Sequence, residues 1–101
     1  MVSNHNNFRL QIVVGLFAMS AGLFFQLNIS EWTALILVSG LVLVTEMANS
    51  SIEAMVDLIT KERKQEAKKA KDIAAGMVLL ASGLSIIIGI LVFGPYLMKL
   101  L

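Results

Sequence analysis

Apolar residues fill three long stretches of the chain, and polar residues collect in the short segments between them. The first stretch covers residues 8–27, the second 31–59 and the third 73–97. A helix needs about 20 mostly apolar residues to cross a hydrocarbon core of about 30 Å, and each stretch reaches that length. The pattern therefore predicts an all-α membrane protein with three transmembrane helices in a single domain, residues 1–101.

The segments between these stretches contain residues typical of helix ends. Asn28-Ile29-Ser30 supplies a turn with helix-capping side chains, and Trp32 follows as an interfacial aromatic. Residues 60–72 are rich in lysine, glutamate and alanine, and are predicted to form a hinge at the level of the lipid headgroups. Gly94-Pro95 is expected to end the third span, because proline lacks the N–H that a helix interior uses.

One polar stripe interrupts the second apolar stretch. At about 100° per residue its five members fall within roughly 100° of one another around a helix. They are Glu46, Asn49, Ser50, Glu53 and Asp57. A charge in hydrocarbon costs at least about 2.5 kcal/mol, so three carboxylates on one face of a spanning helix indicate a function that compensates for them.

Composition and charge place the chain in a membrane and orient it. Of its 101 residues 57% are hydrophobic, and the mean hydropathy is +0.83, which is too apolar for a soluble domain. Six of the eight lysines and arginines lie in residues 61–71. Positively charged loops stay inside, so this hinge and the N-terminus are predicted to be cytoplasmic and the C-terminus to be outside. The protein is thus expected to be a multi-pass membrane protein.

The carboxylates of the stripe suit two kinds of chemistry. Glu46, at the membrane border, is the candidate for a general base working near neutral pH. Glu53 and Asp57 lie one turn apart and offer the hard oxygen ligands that Mg²⁺ prefers.

The basic hinge adds groups that could handle phosphate. Lys68 and Lys71 lie about one turn apart with Asp72 adjacent, so a lysine could neutralise phosphate charge beside a metal ion. The parts together fit phosphoryl transfer at a membrane surface. A polar stripe in a small membrane protein could equally line a pore, relay protons or hold subunits together, and spacing alone leaves these readings open. No nucleic-acid partner is expected, because no aromatic residues are interleaved with the lysines.

Three motifs carry a resemblance to a known family. Residues 46–57, Glu-Met-Ala-Asn-Ser-Ser-Ile-Glu-Ala-Met-Val-Asp, are followed by Ala70-Lys71-Asp72, and Asn7-Phe8-Arg9 precedes the first span. These positions resemble the bacterial diacylglycerol kinase and undecaprenol kinase family, whose pattern is Glu-x-x-Asn-(Ser/Thr)-x-x-Glu-x-x-x-Asp and then Ala-Lys-Asp. The basic stretch 67–72 looks nearer to the undecaprenol branch.

The resemblance implies a small helical homotrimer in the inner (plasma) membrane of a bacterium, with active sites shared between subunits. Such an enzyme transfers the γ-phosphate of MgATP to a hydroxyl of a membrane lipid at the cytoplasmic interface. Carried over by position, Glu46 is expected to be the base, Glu53 a ligand of Mg²⁺, and Asn49 a group that holds the reacting centre and contacts the nucleotide.

Further roles follow from the same resemblance. Lys71 and Asp72 are expected to contact the nucleotide together with Lys68, while Ser50 and Asp57 support the site.

Two departures from the family pattern leave an alternative. Family members usually carry an amphipathic surface helix before the first span, whereas this chain begins about seven residues ahead of Phe8. His5 stands where a second metal-binding glutamate is normal, and imidazole is a poor ligand for Mg²⁺. The alternative is a truncated or catalytically inactive relative that acts as a non-catalytic membrane oligomer.

Overall fold

Three α-helices make up the part of the chain that the computed structural model describes. It describes the backbone of residues 4–62 and 64–101 and the side chains of residues 9–62 and 64–101. The helices are α1 (Asn4–Phe25), α2 (Ile29–Ile59) and α3 (Gln65–Leu100), and they form an elongated bundle of 54 × 23 × 19 Å. The predicted all-helical architecture is confirmed.

A left-handed turn ends α1. Gln26 has a φ of 56°, the region that favours glycine. The N–H of Leu27 donates to the carbonyl of Gly22 at 3.3 Å, and the N–H of Gln26 donates to the carbonyl of Leu23 at 3.4 Å. This pair of bonds is the Schellman pattern, which satisfies carbonyls that the end of a helix otherwise leaves unpaired.

The predicted cap at the start of α2 is confirmed. The N–H of Glu31 donates to Oδ1 of Asn28 at 2.9 Å, and the N–H of Asn28 donates to Oε1 of Glu31 at 3.0 Å. The two residues thus form a capping box, in which each side chain satisfies the backbone of the other. Helix α2 then continues without interruption through the polar stripe to Ile59.

Most of the predicted hinge belongs to α3. Only residues 60–64 separate α2 from α3, so residues 65–72 form its first two turns. The glutamine, glutamate, alanine and lysine residues there are strong helix formers, which explains the early start. The expectation that Gly94-Pro95 stops the helix is wrong, because α3 runs through Pro95 to Leu100.

Helices α2 and α3 form an antiparallel hairpin that polar contacts hold at both ends. Near the connector, Nζ of Lys71 lies 2.6 Å from Oδ1 of Asp57. At the other end, the hydroxyl of Tyr96 donates to Oε1 of Glu31 at 2.6 Å. These contacts lie nearly the same number of residues apart on both helices, about 39 Å at 1.5 Å per residue, so the pair stays in register. The contact of Tyr96 also explains why α3 continues past its proline.

Helix α1 packs against α2 at the turn that joins them. A Cβ atom added to Gly22 would lie 2.7 Å from Cη2 of Trp32, so only glycine fits this approach. Leu27, Leu35 and Val92 form a small buried cluster there, covered in part by Phe25, Trp32, Phe93 and Tyr96 among others. Farther along α1 a cavity lies between α1 and the hairpin.

The outer faces of the helices are strongly apolar, as expected for a protein surrounded by hydrocarbon. Among the large hydrophobic side chains that are exposed are Phe17, Leu79 and Ile90. By length and composition α2 and α3 are each able to cross a membrane, whereas the apolar part of α1, Arg9–Phe25, is shorter. Two of the three expected spans therefore meet the criterion for a membrane helix within the described residues.

Candidate functional site

The buried face of α2 changes from apolar to polar at Glu46. Leu35, Val38 and Val42 are buried on this face, and Glu46 and Asn49 follow at the same helical spacing with only 6% and 9% of their surfaces exposed. Helix α3 is the element packed along this helix. The apolar seam of the hairpin thus leads directly into two polar side chains.

The rest of the polar stripe becomes more exposed toward the connector. Ser50 and Glu53 are half-buried, and Asp57 is exposed. At 1.5 Å per residue Glu53 lies about 10 Å along the helix from Glu46 and about 6 Å from Asp57. The stripe therefore runs from a buried carboxylate to one in contact with water, with Glu53 between them.

Asn49 carries a buried acceptor without a partner. Its Oδ1 is the one buried side-chain polar atom that makes no hydrogen bond within the described residues. Leaving a buried acceptor unpaired costs about 1–3 kcal/mol, so such atoms commonly receive a donor from a ligand or a neighbouring chain. This atom lies one turn from Glu46, where a hydroxyl-bearing ligand could donate to it.

Asp57 and Lys71 form an ion pair that joins the two helices at the connector. The separation of 2.6 Å is short, as expected for a charge-assisted hydrogen bond. The exposed fraction of the side chain is 55% for Asp57 and 39% for Lys71. The pair fixes Lys71 beside the end of the polar stripe and leaves its ammonium accessible from water.

A cavity of about 450 Å³ opens beside this ion pair. Its charged lining contains four lysines, Lys61, Lys64, Lys68 and Lys71, and three acids, Asp57, Glu62 and Asp72. The lysines outnumber the acids by one, and we name this space the basic cavity. The packing of the hairpin therefore brings Lys68, Lys71 and Asp72 of α3 beside Asp57, at the end of the polar stripe on α2.

The buried pair and the basic cavity remain apart within one chain. Glu46 lies about 16 Å along α2 from Asp57 and does not line the basic cavity. A bond-forming contact requires the reacting groups to approach within about 3.5 Å, so the two regions must meet through an extended ligand or through a neighbouring chain.

The acidic groups suit a metal ion that is also bound by a ligand. Within the described residues no three histidine, cysteine or acidic side chains gather into a cluster. Mg²⁺ is usually held by one or two carboxylates plus substrate phosphates, and the hard oxygens of Glu53 and its stripe neighbours fit that mode. The side chains of His5, Asn7 and Phe8, and all of Arg63, lie outside the described residues.

One feature near the site escaped the sequence reasoning. The cavity between α1 and the hairpin depends on small residues of two helices, Gly15 and Ala18 on α1 and Gly89 on α3. The sequence does carry a signal for it, because small residues recur at close spacing on both helices, as they do where membrane helices pack closely.

Comparison with known proteins shows similarity along nearly the whole chain. The family model described as prokaryotic diacylglycerol kinase matches residues 1–93. The undecaprenol kinase of Bacillus subtilis is 38% identical over 89 residues, which are 88% of this chain and 72% of that protein. A diacylglycerol kinase of Synechocystis sp. is 35% identical over 98% of this chain and 57% of its own length. A diacylglycerol kinase of Helicobacter pylori is 37% identical over 92% of this chain and 70% of its own length.

Proposed function

Because this chain belongs to the prokaryotic diacylglycerol kinase family it is a lipid kinase, and we propose that it transfers the γ-phosphate of MgATP to a lipid hydroxyl at the cytoplasmic interface. The observation that carries the proposal is the course of the polar stripe, which joins a buried carboxylate to a basic cavity at the surface. A lipid hydroxyl can approach from the membrane side and a nucleotide from the water side. Undecaprenol is the first candidate substrate, since a relative named undecaprenol kinase is 38% identical to this chain. Diacylglycerol is the second candidate.

We propose the membrane arrangement that the sequence predicts. In it all three helices cross the inner membrane, with the N-terminus and residues 60–72 in the cytoplasm and the C-terminus outside. The lysine-rich connector supports this orientation, because positive charge is retained on the cytoplasmic side. The basic cavity then faces the compartment that contains ATP.

Glu46 is the general base of the reaction. Its carboxylate accepts the proton of the lipid hydroxyl as the hydroxyl oxygen bonds to the γ-phosphorus, and the bond from that phosphorus to the bridging oxygen of ADP breaks. Oδ1 of Asn49 holds the reacting centre by accepting a hydrogen bond, which satisfies an acceptor that the chain itself leaves unpaired. Ser50 supports this arrangement from the adjacent position on α2.

The nucleotide is held at the other end of the stripe. Lys68 and Lys71 contact its phosphates and Asp72 contacts it from the first turns of α3, while Asn49 reaches it from the buried side. Asp57 positions Lys71 through their ion pair. Glu53 would hold Mg²⁺ through its carboxylate, and the ion would supply positive charge beside the phosphates.

We also propose that the protein is a homotrimer whose active sites are shared between neighbouring subunits. The separation of about 16 Å between Glu46 and Asp57 at the basic cavity supports an oligomer. A neighbouring subunit can bring its nucleotide-binding groups to Glu46.

The test is transfer of labelled γ-phosphate from ATP to undecaprenol and to diacylglycerol in mixed micelles. Glu46→Gln keeps the size and hydrogen bonding of the side chain but removes its basicity, so we expect a loss of about 10²–10⁴-fold in kcat. Glu66→Gln is the matched control, because Glu66 is exposed and lies outside the stripe.

Two results would contradict the proposal. A well-folded parent that phosphorylates neither lipid would favour the non-catalytic oligomer. A Glu46→Gln variant as active as the Glu66→Gln control would remove Glu46 from the role of base.

A further inference from the structure

Two spaces adjoin each other where α2 passes into α3. The first is the basic cavity of about 450 Å³. The second is a groove of about 280 Å³, which we name the connector groove. Its apolar lining consists of Val56 and Ile59 from α2 and of Ala67 and Ala70 from α3. A charged space and a mostly apolar space therefore lie side by side at this end of the hairpin.

The basic cavity and the connector groove share part of their walls. Val56, Thr60, Lys64 and Ala67 line both spaces. Lys64 thus stands where the charged lining passes into the apolar lining. One molecule with an anionic group at the end of an apolar chain could occupy both spaces at once.

Large apolar side chains remain exposed at the same level of the structure. Leu58 is 87% exposed and Ile59 is 79% exposed, and both directly follow Asp57 of the basic cavity. Exposed aliphatic side chains beside lysines are typical of the level at which lipid headgroups meet hydrocarbon. A ligand that reaches both spaces can therefore come from the membrane surface.

Two lysines of the basic cavity have no role in the proposed reaction. Lys68 and Lys71 are assigned to the nucleotide, whereas Lys61 and Lys64 are not. Lys64 lies 4.0 Å from Glu62, and the two side chains are 59% and 81% exposed, so this ion pair is weak. The ammonium of Lys64 is therefore available to an anion, to which it can donate three hydrogen bonds.

We propose that the basic cavity and the connector groove together bind a lipid phosphate, a hydrocarbon chain that ends in a phosphomonoester, and that this ligand competes with ATP. The inference rests on the proposed function, because a lipid kinase releases a product of this class, and it adds feedback regulation of the nucleotide site. The phosphate lies among the lysines of the basic cavity, and the first methylene groups of the chain lie against Val56 and Ile59. ATP is excluded, since Lys68 and Lys71 line the same cavity.

The chemistry of the two spaces favours a phosphomonoester at the end of a lipid. A phosphomonoester carries about −1.5 to −2 charges at pH 7 and has three strong acceptor oxygens, which match the ammonium donors of the lysines. A phosphodiester carries less charge and has fewer free oxygens. A free phosphate would leave the connector groove unused. Confinement to the membrane also raises the effective concentration of a lipid phosphate at this site.

Charge opposes a second copy of the chain as the occupant. Residues 60–72 contain six lysines and arginines and three acids. The subunits of a membrane oligomer that share one orientation have these segments on the same side of the membrane. A second copy would therefore bring a basic segment against the basic cavity, and like charges across an interface are unfavourable.

The kinetic test measures the KM for ATP at saturating lipid substrate and constant free Mg²⁺, in micelles of an uncharged detergent. Hexadecyl phosphate is the probe, and it should raise the KM for ATP in proportion to its mole fraction while leaving kcat unchanged. Inorganic phosphate at the same concentration and phosphatidylglycerol at the same mole fraction are the controls. Both should have a much smaller effect than the probe.

Two matched pairs of variants locate the site. Lys64→Gln should weaken inhibition by hexadecyl phosphate about fivefold, whereas Lys69→Gln should not, because Lys69 is exposed and lines neither space. Ile59→Ser should weaken inhibition about threefold or more, because the chain loses an apolar contact. Leu58→Ser should not weaken it, since Leu58 is outside the connector groove. All four side chains are exposed, so each variant is expected to fold.

A binding measurement keeps the inference separate from catalysis. Native mass spectrometry in an uncharged detergent, without Mg²⁺, should show hexadecyl phosphate retained by the parent, Lys69→Gln and Leu58→Ser. Retention should be lower in Lys64→Gln and Ile59→Ser, and ATP should displace the probe. If ATP displaced the probe from a parent that phosphorylates neither lipid, the site would stand and the proposed function would fail.

Three results would overturn the inference and leave the kinase assignment in place. Equal inhibition by inorganic phosphate would show that the site binds a free anion. Equal inhibition by phosphatidylglycerol would show a general effect of surface charge. Equal inhibition constants within both pairs of variants would show that the lipid phosphate binds elsewhere.

Discussion

Replacing Asp57 by asparagine tests whether the ion pair with Lys71 positions that lysine for ATP. The pair is short, at 2.6 Å, but both side chains are more than one-third exposed. Ion pairs at the surface contribute about 0.2–1 kcal/mol, so Asp57→Asn should raise the KM for ATP by no more than about fivefold. Lys71→Ala removes the phosphate contact itself, worth about 1.5–3 kcal/mol, and should raise the KM for ATP by roughly 10- to 150-fold.

The double variant decides between positioning and an independent role for Asp57. If Asp57 acts only through Lys71, then Asp57→Asn should have no further effect in the Lys71→Ala background. The assay is an ATP titration at saturating lipid, with Glu66→Gln as an exposed control. A lower KM for ATP in Asp57→Asn would show instead that Asp57 competes with phosphate for the lysine. An undiminished effect in the Lys71→Ala background would show that Asp57 acts through another contact.

Two further predictions concern the metal ion and the packing of α1. Glu53→Gln should raise the Mg²⁺ concentration required for half-maximal activity while leaving the KM for lipid unchanged, and an unaltered Mg²⁺ titration would rule out a direct role of Glu53 in metal binding. Gly22→Ala should destabilise the protein by about 1–3 kcal/mol, because the added Cβ would lie 2.7 Å from Trp32. Gly40→Ala should instead stabilise α2 by about 0.5–1 kcal/mol, because its Cβ meets no atom within 4 Å and alanine favours a helix over glycine. Thermal unfolding in detergent measures the stability of both alanine variants. If Gly22→Ala were as stable as the parent, Trp32 would have to move aside freely.

The sequence alone was sufficient for the features that depend on neighbouring residues. Helical periodicity and capping chemistry predict the number of helices and the course of α2 from its Asn28 cap to Ile59. They also predict that five polar side chains share one face of α2, and these are Glu46, Asn49, Ser50, Glu53 and Asp57. The family also followed from these residues, because the order and spacing of their polar side chains match its pattern. The roles assigned to the polar residues stay predictions.

Only the tertiary structure decided which residues meet across the hairpin. The pairs Asp57–Lys71 and Glu31–Tyr96 depend on the register of two helices, and no local pattern encodes a contact between residues as far apart as 31 and 96. The same packing buries Oδ1 of Asn49 and carries α3 through Pro95, against the local preference of proline. The cavity between α1 and the hairpin arises for the same reason, since small side chains leave space only where the faces of separate helices come together.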